Sequence, residues 1–180
     1  MRTKLTLFFS VFIPVMALDI LTKRWALTEL AGKRGELFGG LVPLTLAFNK
    51  GAAFGMRVGE DSRWLFVPIT LVALVLLFTL FRQAHARDYL RLTALSLVIS
   101  GALGNLYDRL RWGRGVVDFI GPVDLGFWDF PIFNVADIAI TCGAILLALS
   151  FWMEERAEAR SGGAVATADP APSGAEPPST

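Results

Sequence analysis

Four aspartates carry the chemistry that this sequence suggests. Each lies at or beside an end of a long apolar stretch, and they are Asp19, Asp108, Asp118 and Asp137. An ionised carboxylate at such a position is costly unless it is paired or faces a wet cavity, so all four are functional candidates. Two carboxyls that approach closely share one proton and can serve as general base and general acid toward an attacking water. Asp118 and Asp137 form the natural pair, since each directly adjoins the expected membrane boundary.

Amides and a cation recur beside these aspartates at helical spacing. Asn105 precedes Asp108 by three residues and Arg109 by four, and Asn134 precedes Asp137 by three. Residues three or four apart share one face of a helix, so this spacing allows a converging polar cluster. The structural alternative is that these side chains cap helices and join them by hydrogen bonds, with Asn134 capping the last helix.

Other kinds of catalytic centre find little support. The single histidine, His85, lies in a short polar turn and reads as a solvated surface residue. The single cysteine, Cys142, excludes a disulfide framework and is expected to fill a packing gap. We expect no metal site and no cofactor, because carboxylates alone are weak zinc ligands and no glycine-rich loop cradles a phosphate. A net charge of +1 gives no basic surface for nucleic acid.

The composition indicates a membrane protein. Of the 180 residues, 54% are hydrophobic and only 18% are charged, which lies outside the range usual for soluble domains. A spanning helix needs about 20 residues, so each apolar stretch must extend a little into polar flanks. We therefore predict an all-α membrane protein with four transmembrane helices, at about 5–23, 63–82, 91–109 and 134–154.

The first apolar stretch has a second interpretation. Arg2 and Lys4, followed by an apolar run and the small Ala17, also resemble a secretory signal peptide. However, Asp19 and Lys23 lie four residues apart in the favourable acid-before-base order on one helical face. A retained first helix explains that pair better.

The remaining segments differ in character. The connection 24–62 contains an extended apolar run over 41–48 that is typical of a strand, so we expect short strands at the bilayer surface. Residues 158–180 are mostly Ala, Gly, Ser, Thr and Pro and are predicted to be a disordered tail. The membrane domain is accordingly placed at 1–157.

Five segments also match the pattern of a known family when taken together. They are 19–23 (DILTK), 48–55 (FNKGAAFG), 101–109 (GALGNLYDR), 116–119 (VVDF) and 130–137 (FPIFNVAD). Their order and rough spacing across residues 19–143 resemble the conserved boxes of the lipoprotein signal peptidases, also called signal peptidase II. Two departures are Ser100, where many members have glycine, and the loop 121–129, which has no clear match.

The resemblance implies an aspartic endopeptidase of the bacterial inner membrane. Such an enzyme removes the signal peptide of a prolipoprotein by cleaving before its diacylglyceryl-modified cysteine. By this resemblance Asp118 and Asp137 are the catalytic dyad, and Asp19 and Lys23 support it from the first helix. The residues that would shape the substrate pocket are Asn49, Gly51, Asn105, Arg109, Asn134 and Ala136.

The resemblance also implies an orientation and partners. Seven lysines and arginines lie on the side of the termini and ten on the other side, so the positive-inside rule alone argues against cytoplasmic termini. Lys23, Lys50 and Arg109 belong to the motifs, and without them the two sides are equal. The family pattern places both termini and the tail in the cytoplasm, and the catalytic pair and a small β-cradle at the periplasmic face. The expected partners are lipidated prolipoproteins and membrane lipid, and we expect a monomer.

Two other functions fit some of the same residues. A small proton-coupled transporter or channel subunit would use the carboxylates as a relay, but it leaves the segment 49–55 unexplained. A non-enzymatic assembly subunit would use them as interhelical contacts, and would keep its function after Asp118→Asn or Asp137→Asn.

Overall fold

Four long helices form the body of the protein. The computed structural model describes residues 2–51 and 63–166, and within them the helices are α1 (Arg2–Glu29), α2 (Arg63–Gln83), α3 (Tyr89–Arg111) and α4 (Val135–Ala166). Each is long and apolar enough to cross a membrane. The prediction of four membrane-spanning helices is confirmed.

Helix α3 lies in the centre of the bundle and contacts the other three. Of its most apolar stretch, 56% is buried, against 11%, 11% and 22% for the corresponding stretches of α1, α2 and α4. Small residues let α3 and α4 approach closely: a side-chain carbon on Gly143 would come within 2.7 Å of Val98 and 2.8 Å of the Ala94 carbonyl. The surface of α3 can therefore carry polar groups that are shielded from lipid.

A small sheet covers one end of the bundle. Its antiparallel strands, in the order in which they pair, are β1 (Arg34–Leu37), β2 (Val42–Asn49) and β3 (Val116–Ile120). A second hairpin follows, formed by β4 (Val123–Asp124) and β5 (Asp129–Phe130). The strand predicted over 41–48 corresponds to β2, and the small sheet expected beside the helices is confirmed. No strand was predicted at β3.

Two apolar clusters hold these parts together. The larger lies among the helices and consists of Phe8, Leu74, Phe81, Ala84, Leu92, Leu95, Ile99 and Leu106. The smaller joins the sheet to the end of α1 and consists of Ala26, Leu30, Leu44 and Phe119. Because Phe119 neighbours Asp118 in β3, the second cluster fixes the strand that carries a predicted catalytic residue.

The ends of the helices differ from the predicted spans. Helix α1 runs to Glu29, beyond the predicted end at 23, and α4 runs to Ala166, beyond 154. The segment 158–166, predicted to be disordered, is therefore helical, since the preceding Glu, Arg and Ala residues favour helix and carry it past the membrane. Residues 167–180, and residues 52–55 of the family-like segment 48–55, lie outside the described part of the chain.

Candidate active site

Asn134 lies at the centre of a polar cluster, where β3 meets the start of α4, and hydrogen-bonds four of the residues around it. Its side-chain Nδ2 donates to Asp118 Oδ1 at 2.6 Å, to Asn105 Oδ1 at 3.1 Å and to the Val117 carbonyl at 3.3 Å. Its Oδ1 accepts from the backbone N–H of Asp137 at 3.0 Å, while its own N–H donates to Asp137 Oδ2 at 3.1 Å. This reciprocal pair is a capping arrangement. Asn134 thus caps α4, as the structural alternative proposed, and also bonds both predicted catalytic aspartates.

Asn105 connects Asp137 to the buried charges behind it. Its Nδ2 donates to Asp137 Oδ1 at 2.8 Å, and its Oδ1 accepts from Lys23 Nζ at 3.2 Å as well as from Asn134. Each polar atom of this amide therefore has a fixed partner. The Asp137 carboxylate receives N–H donors on both oxygens, one from Asn105 and one from Asn134.

Lys23 lies between two carboxylates in a buried ionic cluster. Its Nζ is 2.8 Å from Asp19 Oδ2 and 3.0 Å from Asp108 Oδ2, and all three side chains are almost fully buried. Asp108 also accepts from the backbone N–H of Val117 at 3.3 Å. This bond holds β3 against the end of α3 at the residue that precedes Asp118. Asp108 was a candidate for its place at a helix end but was missing from the predicted site residues, and its spacing from Asn105 is the signal that could have included it.

Asp19 reaches the start of α4 from a different helix. Its Oδ1 accepts from the backbone N–H of Ala136 at 3.1 Å, which satisfies a donor of the first turn that has no partner within the helix. Gly104 makes room for this contact, since a side-chain carbon there would lie 2.6 Å from Asp19 Oδ2. The first turn of α4, and with it Asp137, is therefore positioned by Asp19.

Three further predicted residues, near the end of β2 and the end of α3, lie on the side of the polar cluster away from α1. Asn49 Oδ1 accepts from the Gly51 N–H at 2.8 Å, and the Asn49 side chain also hydrogen-bonds the Asp118 carboxyl. Gly51 has a φ of +98°, and any side chain on it would collide with the ring of Phe66. The Arg109 guanidinium lies 5.5 Å from the same ring. Phe66 was not predicted from the sequence, and no polar signal marks it.

The electrostatics of Asp118 suit an acid. Burial, followed by the charge of Asp137, raises the pKa of Asp118 from 3.8 to about 7, although hydrogen bonds from Asn134 and Asn49 oppose the shift. The carboxyl is 2% exposed. Near neutral pH this group holds a proton that it can donate, beside a second carboxyl held as a hydrogen-bond acceptor.

Several other polar residues lie away from this cluster. His85 is exposed in the turn between α2 and α3, as expected, and its Nδ1 accepts from the Arg87 N–H at 3.3 Å. Cys142 is exposed on α4, so the prediction that it fills a packing gap is wrong; its side chain lies at the surface of the part of the chain that the structure describes. Among residues 2–51 and 63–166, no group of His, Cys, Asp and Glu side chains is arranged to hold a metal ion.

Comparison with known proteins gives consistent matches. A family model described as "Signal peptidase (SPase) II" matches residues 11–153. The chain is 39% identical to the lipoprotein signal peptidase of Hydrogenovibrio crunogenus, over 82% of this chain and 86% of that protein. It is 41% identical to the lipoprotein signal peptidase of Streptococcus pyogenes serotype M2, over 84% of this chain and 97% of that protein.

Solved structures agree with the fold. One bacterial membrane enzyme, determined by the in meso method at 2.3 Å resolution, superposes with a TM-score of 0.70 at 33% identity and covers 82% of this chain and 88% of its own. A second, determined at 1.9 Å by the same method, has a TM-score of 0.68 at 34% identity, with coverages of 80% and 91%.

Proposed function

The chain belongs to the signal peptidase II family and is a bacterial membrane peptidase, and on this premise we propose that Asp118 and Asp137 are its catalytic pair. One observation carries the proposal: the buried side chain and backbone of Asn134 hydrogen-bond both carboxyls at once. A pair held in this way can divide one proton between an acid and a base.

Asp137 is the base in the first step. Its two oxygens already accept N–H donors from Asn105 and Asn134, which fixes the carboxylate and leaves its remaining lone pairs for a water molecule. Asp137 takes a proton from this water as the water oxygen bonds to the peptide carbonyl carbon. Asp118 donates its proton to the carbonyl oxygen, so that the tetrahedral intermediate is neutral.

The second step reverses the two roles. Asp137 gives the proton it received to the amide nitrogen, and the carbon–nitrogen bond breaks. The hydroxyl that Asp118 protonated returns its proton to Asp118 as the new carboxylic acid forms. The pair ends in its starting state, with the proton on Asp118, where burial raises the pKa to about 7.

The substrate is a prolipoprotein, as the names of the relatives indicate for those proteins. A diacylglyceryl group on the cysteine after the cleaved bond holds the substrate in the bilayer, because each buried methylene is worth about 0.8 kcal/mol. The enzyme then needs only to bind a substrate that reaches it by diffusion in the plane of the membrane. Arg109, half-buried and within electrostatic reach of both aspartates, together with Asn49 and Gly51 borders the space in which the peptide lies.

The catalytic pair faces the periplasm and both termini face the cytoplasm. The sheet and the start of α4 lie at one end of the bundle, where water can enter from the surface. A translocated prolipoprotein presents its cleavage site on that side. The comparisons do not support the transporter alternative, because the matching family and both named relatives are signal peptidases.

Cleavage of a defined substrate tests this function. The purified protein in detergent is given a prolipoprotein carrying the diacylglyceryl cysteine and, in parallel, the same chain without the lipid. Mass spectrometry should find a product that begins at the modified cysteine, formed from the lipidated substrate and not from the unmodified one. Cleavage at other positions, or equal cleavage of both substrates, would contradict the proposal.

A further inference from the structure

Two turns, one in the three-stranded sheet and one in the second hairpin, present large apolar side chains to the outside. The first tip, residues 37–41, joins β1 to β2 and exposes Phe38 by 79% and Leu41 by 76%. The second tip, residues 125–128, joins β4 to β5 and exposes Phe127 by 87%, with Leu125 and Trp128 about half exposed. Neither tip contains a charged residue.

The two tips leave the sheet at the same end. Leu37 at the end of β1 pairs with Val42 at the start of β2, so the first tip lies beyond this pair. The end of β3 lies beside the same part of β2, since Leu44 pairs with Ile120 and the Gly121 N–H donates to the Pro43 carbonyl at 2.7 Å. The second hairpin begins two residues later, so both tips leave from one end.

Each tip has a defined backbone. In the first, Phe38 has a φ of +53°, which is unusual for a bulky residue, and is followed by two glycines with positive φ. In the second, the Leu125 N–H donates to the Trp128 carbonyl at 3.1 Å, and Asp124 Oδ1 accepts from the Gly126 N–H at 2.6 Å. The exposed apolar side chains are therefore carried by two tight turns.

An aromatic row joins the second tip to the membrane-spanning helices. The rings of Trp128 and Phe130 are 5.7 Å apart, and those of Phe130 and Phe133 are 5.4 Å apart. Phe133 directly precedes Asn134 at the start of α4. In β3, the ring of Phe119 lies 6.3 Å from that of Trp25 in α1. The exposed tip is thus continuous with helices that face lipid.

We propose that both tips insert into the lipid headgroup region of the bilayer on the side of the sheet. Uncharged Phe, Leu and Trp side chains are the residues that favour this interface, where each can bury its apolar part without losing hydration of a charge. Insertion at two points would hold the sheet, and therefore β3, against the membrane. This proposal uses only the membrane location of the chain and does not depend on which residues are catalytic.

Depth-dependent fluorescence quenching tests the insertion. In a Cys142→Ala background, Phe127→Cys and Phe38→Cys are each labelled with the fluorophore NBD, and Lys33→Cys serves as the control. Lys33 is exposed at the opposite end of β1, and the exposure of Phe38 and Phe127 means that cysteine there removes little packing. The full chain is placed in vesicles of phosphatidylethanolamine and phosphatidylglycerol that carry a nitroxide high on the acyl chain.

The expected result is that labels at 127 and 38 lose emission to the nitroxide lipid and resist aqueous iodide, with a depth of about 5–10 Å into the boundary between headgroups and acyl chains. The label at 33 should show the reverse. Iodide quenching at 127 and 38 equal to that at 33 would overturn the proposal. Shielding that needs added lipopeptide substrate, or that disappears when the protein is diluted with lipid, would also overturn it in favour of a substrate contact or a second copy.

Discussion

Replacing Asp118 with asparagine should make the protein more stable at neutral and alkaline pH while removing its peptidase activity. Asparagine has nearly the same shape, and its Oδ1 can still accept the 2.6 Å hydrogen bond from Asn134. It carries no charge, so it avoids the cost of ionising a carboxyl that is 2% exposed. Its amide takes the place of the protonated oxygen.

The size of the effect follows from the pKa of Asp118, which is about 7 in the folded protein against an ordinary value of 3.8. Between these values the folded state holds a proton that the unfolded chain has lost, so stability falls as pH rises through this range and levels off above about 7. Each pKa unit is worth about 1.4 kcal/mol, which gives a loss of about 4 kcal/mol from this one carboxyl as an upper bound. The asparagine variant lacks this loss.

Thermal unfolding in detergent at pH 4 and at pH 8 measures the stability that wild type loses when Asp118 ionises. The melting temperature of the variant relative to wild type should rise between the two pH values by on the order of 10 °C. Asp124→Asn makes the same exchange at an exposed position of the second hairpin and is the matched control, which measures how much the exchange by itself changes the melting temperature at each pH. If Asp118→Asn and wild type shift in parallel, Asp118 does not hold its proton in the folded protein and the assignment of the acid fails.

Three further predictions concern activity and packing. The rate of wild type, measured as kcat/KM against pH, should fall above about pH 7, because Asp118 then loses the proton that it donates; a rate that stays constant to pH 9 would contradict this. Asn134→Asp can still accept from the Asp137 N–H, but it loses the Nδ2 donations, including the hydrogen bond to Asp118 worth about 1.5–3 kcal/mol, and it puts a third carboxyl beside the pair. We expect kcat/KM to fall by roughly 10- to 100-fold and the melting temperature to fall as well, because Asn134 is fully buried; an unchanged kcat/KM would contradict the role given to Asn134. Gly104→Ala should cost about 1–3 kcal/mol of stability in thermal unfolding, because the added methyl group meets Asp19, and unchanged stability would show that Asp19 can move freely.

The helices and the residues at their ends could be predicted from the sequence because the underlying rules are local. Apolar stretches of spanning length require helices, and carboxylates at their ends require partners. The pairs Asp19 with Lys23 and Asn134 with Asp137 follow from spacing alone, and the structure shows both contacts. Strand β2 was also predictable from its extended apolar run.

The parts that the sequence did not reveal depend on contacts between distant segments. Strand β3 exists because it pairs with β2 and lies between β2 and the helix ends, whereas its five residues by themselves carry no clear periodicity. Asp19 accepts a hydrogen bond from Ala136, 117 positions away in the chain. Phe66 belongs to the site only because its ring packs against Gly51 and lies beside the Arg109 guanidinium. The composition of residues 158–180 predicts a disordered tail, but α4 extends into this segment as far as Ala166, because a helix that is already formed can continue through a few residues of low helix propensity.

The most direct test of the catalytic pair is single-turnover cleavage of a lipidated prolipoprotein by wild type, Asp118→Asn and Asp137→Asn, each shown to be folded by its melting curve. Both variants should bind the substrate, and neither should release the signal peptide at a measurable rate, since each lacks one of the two proton transfers. Substantial cleavage by either variant at the wild-type position would contradict the assignment of the pair.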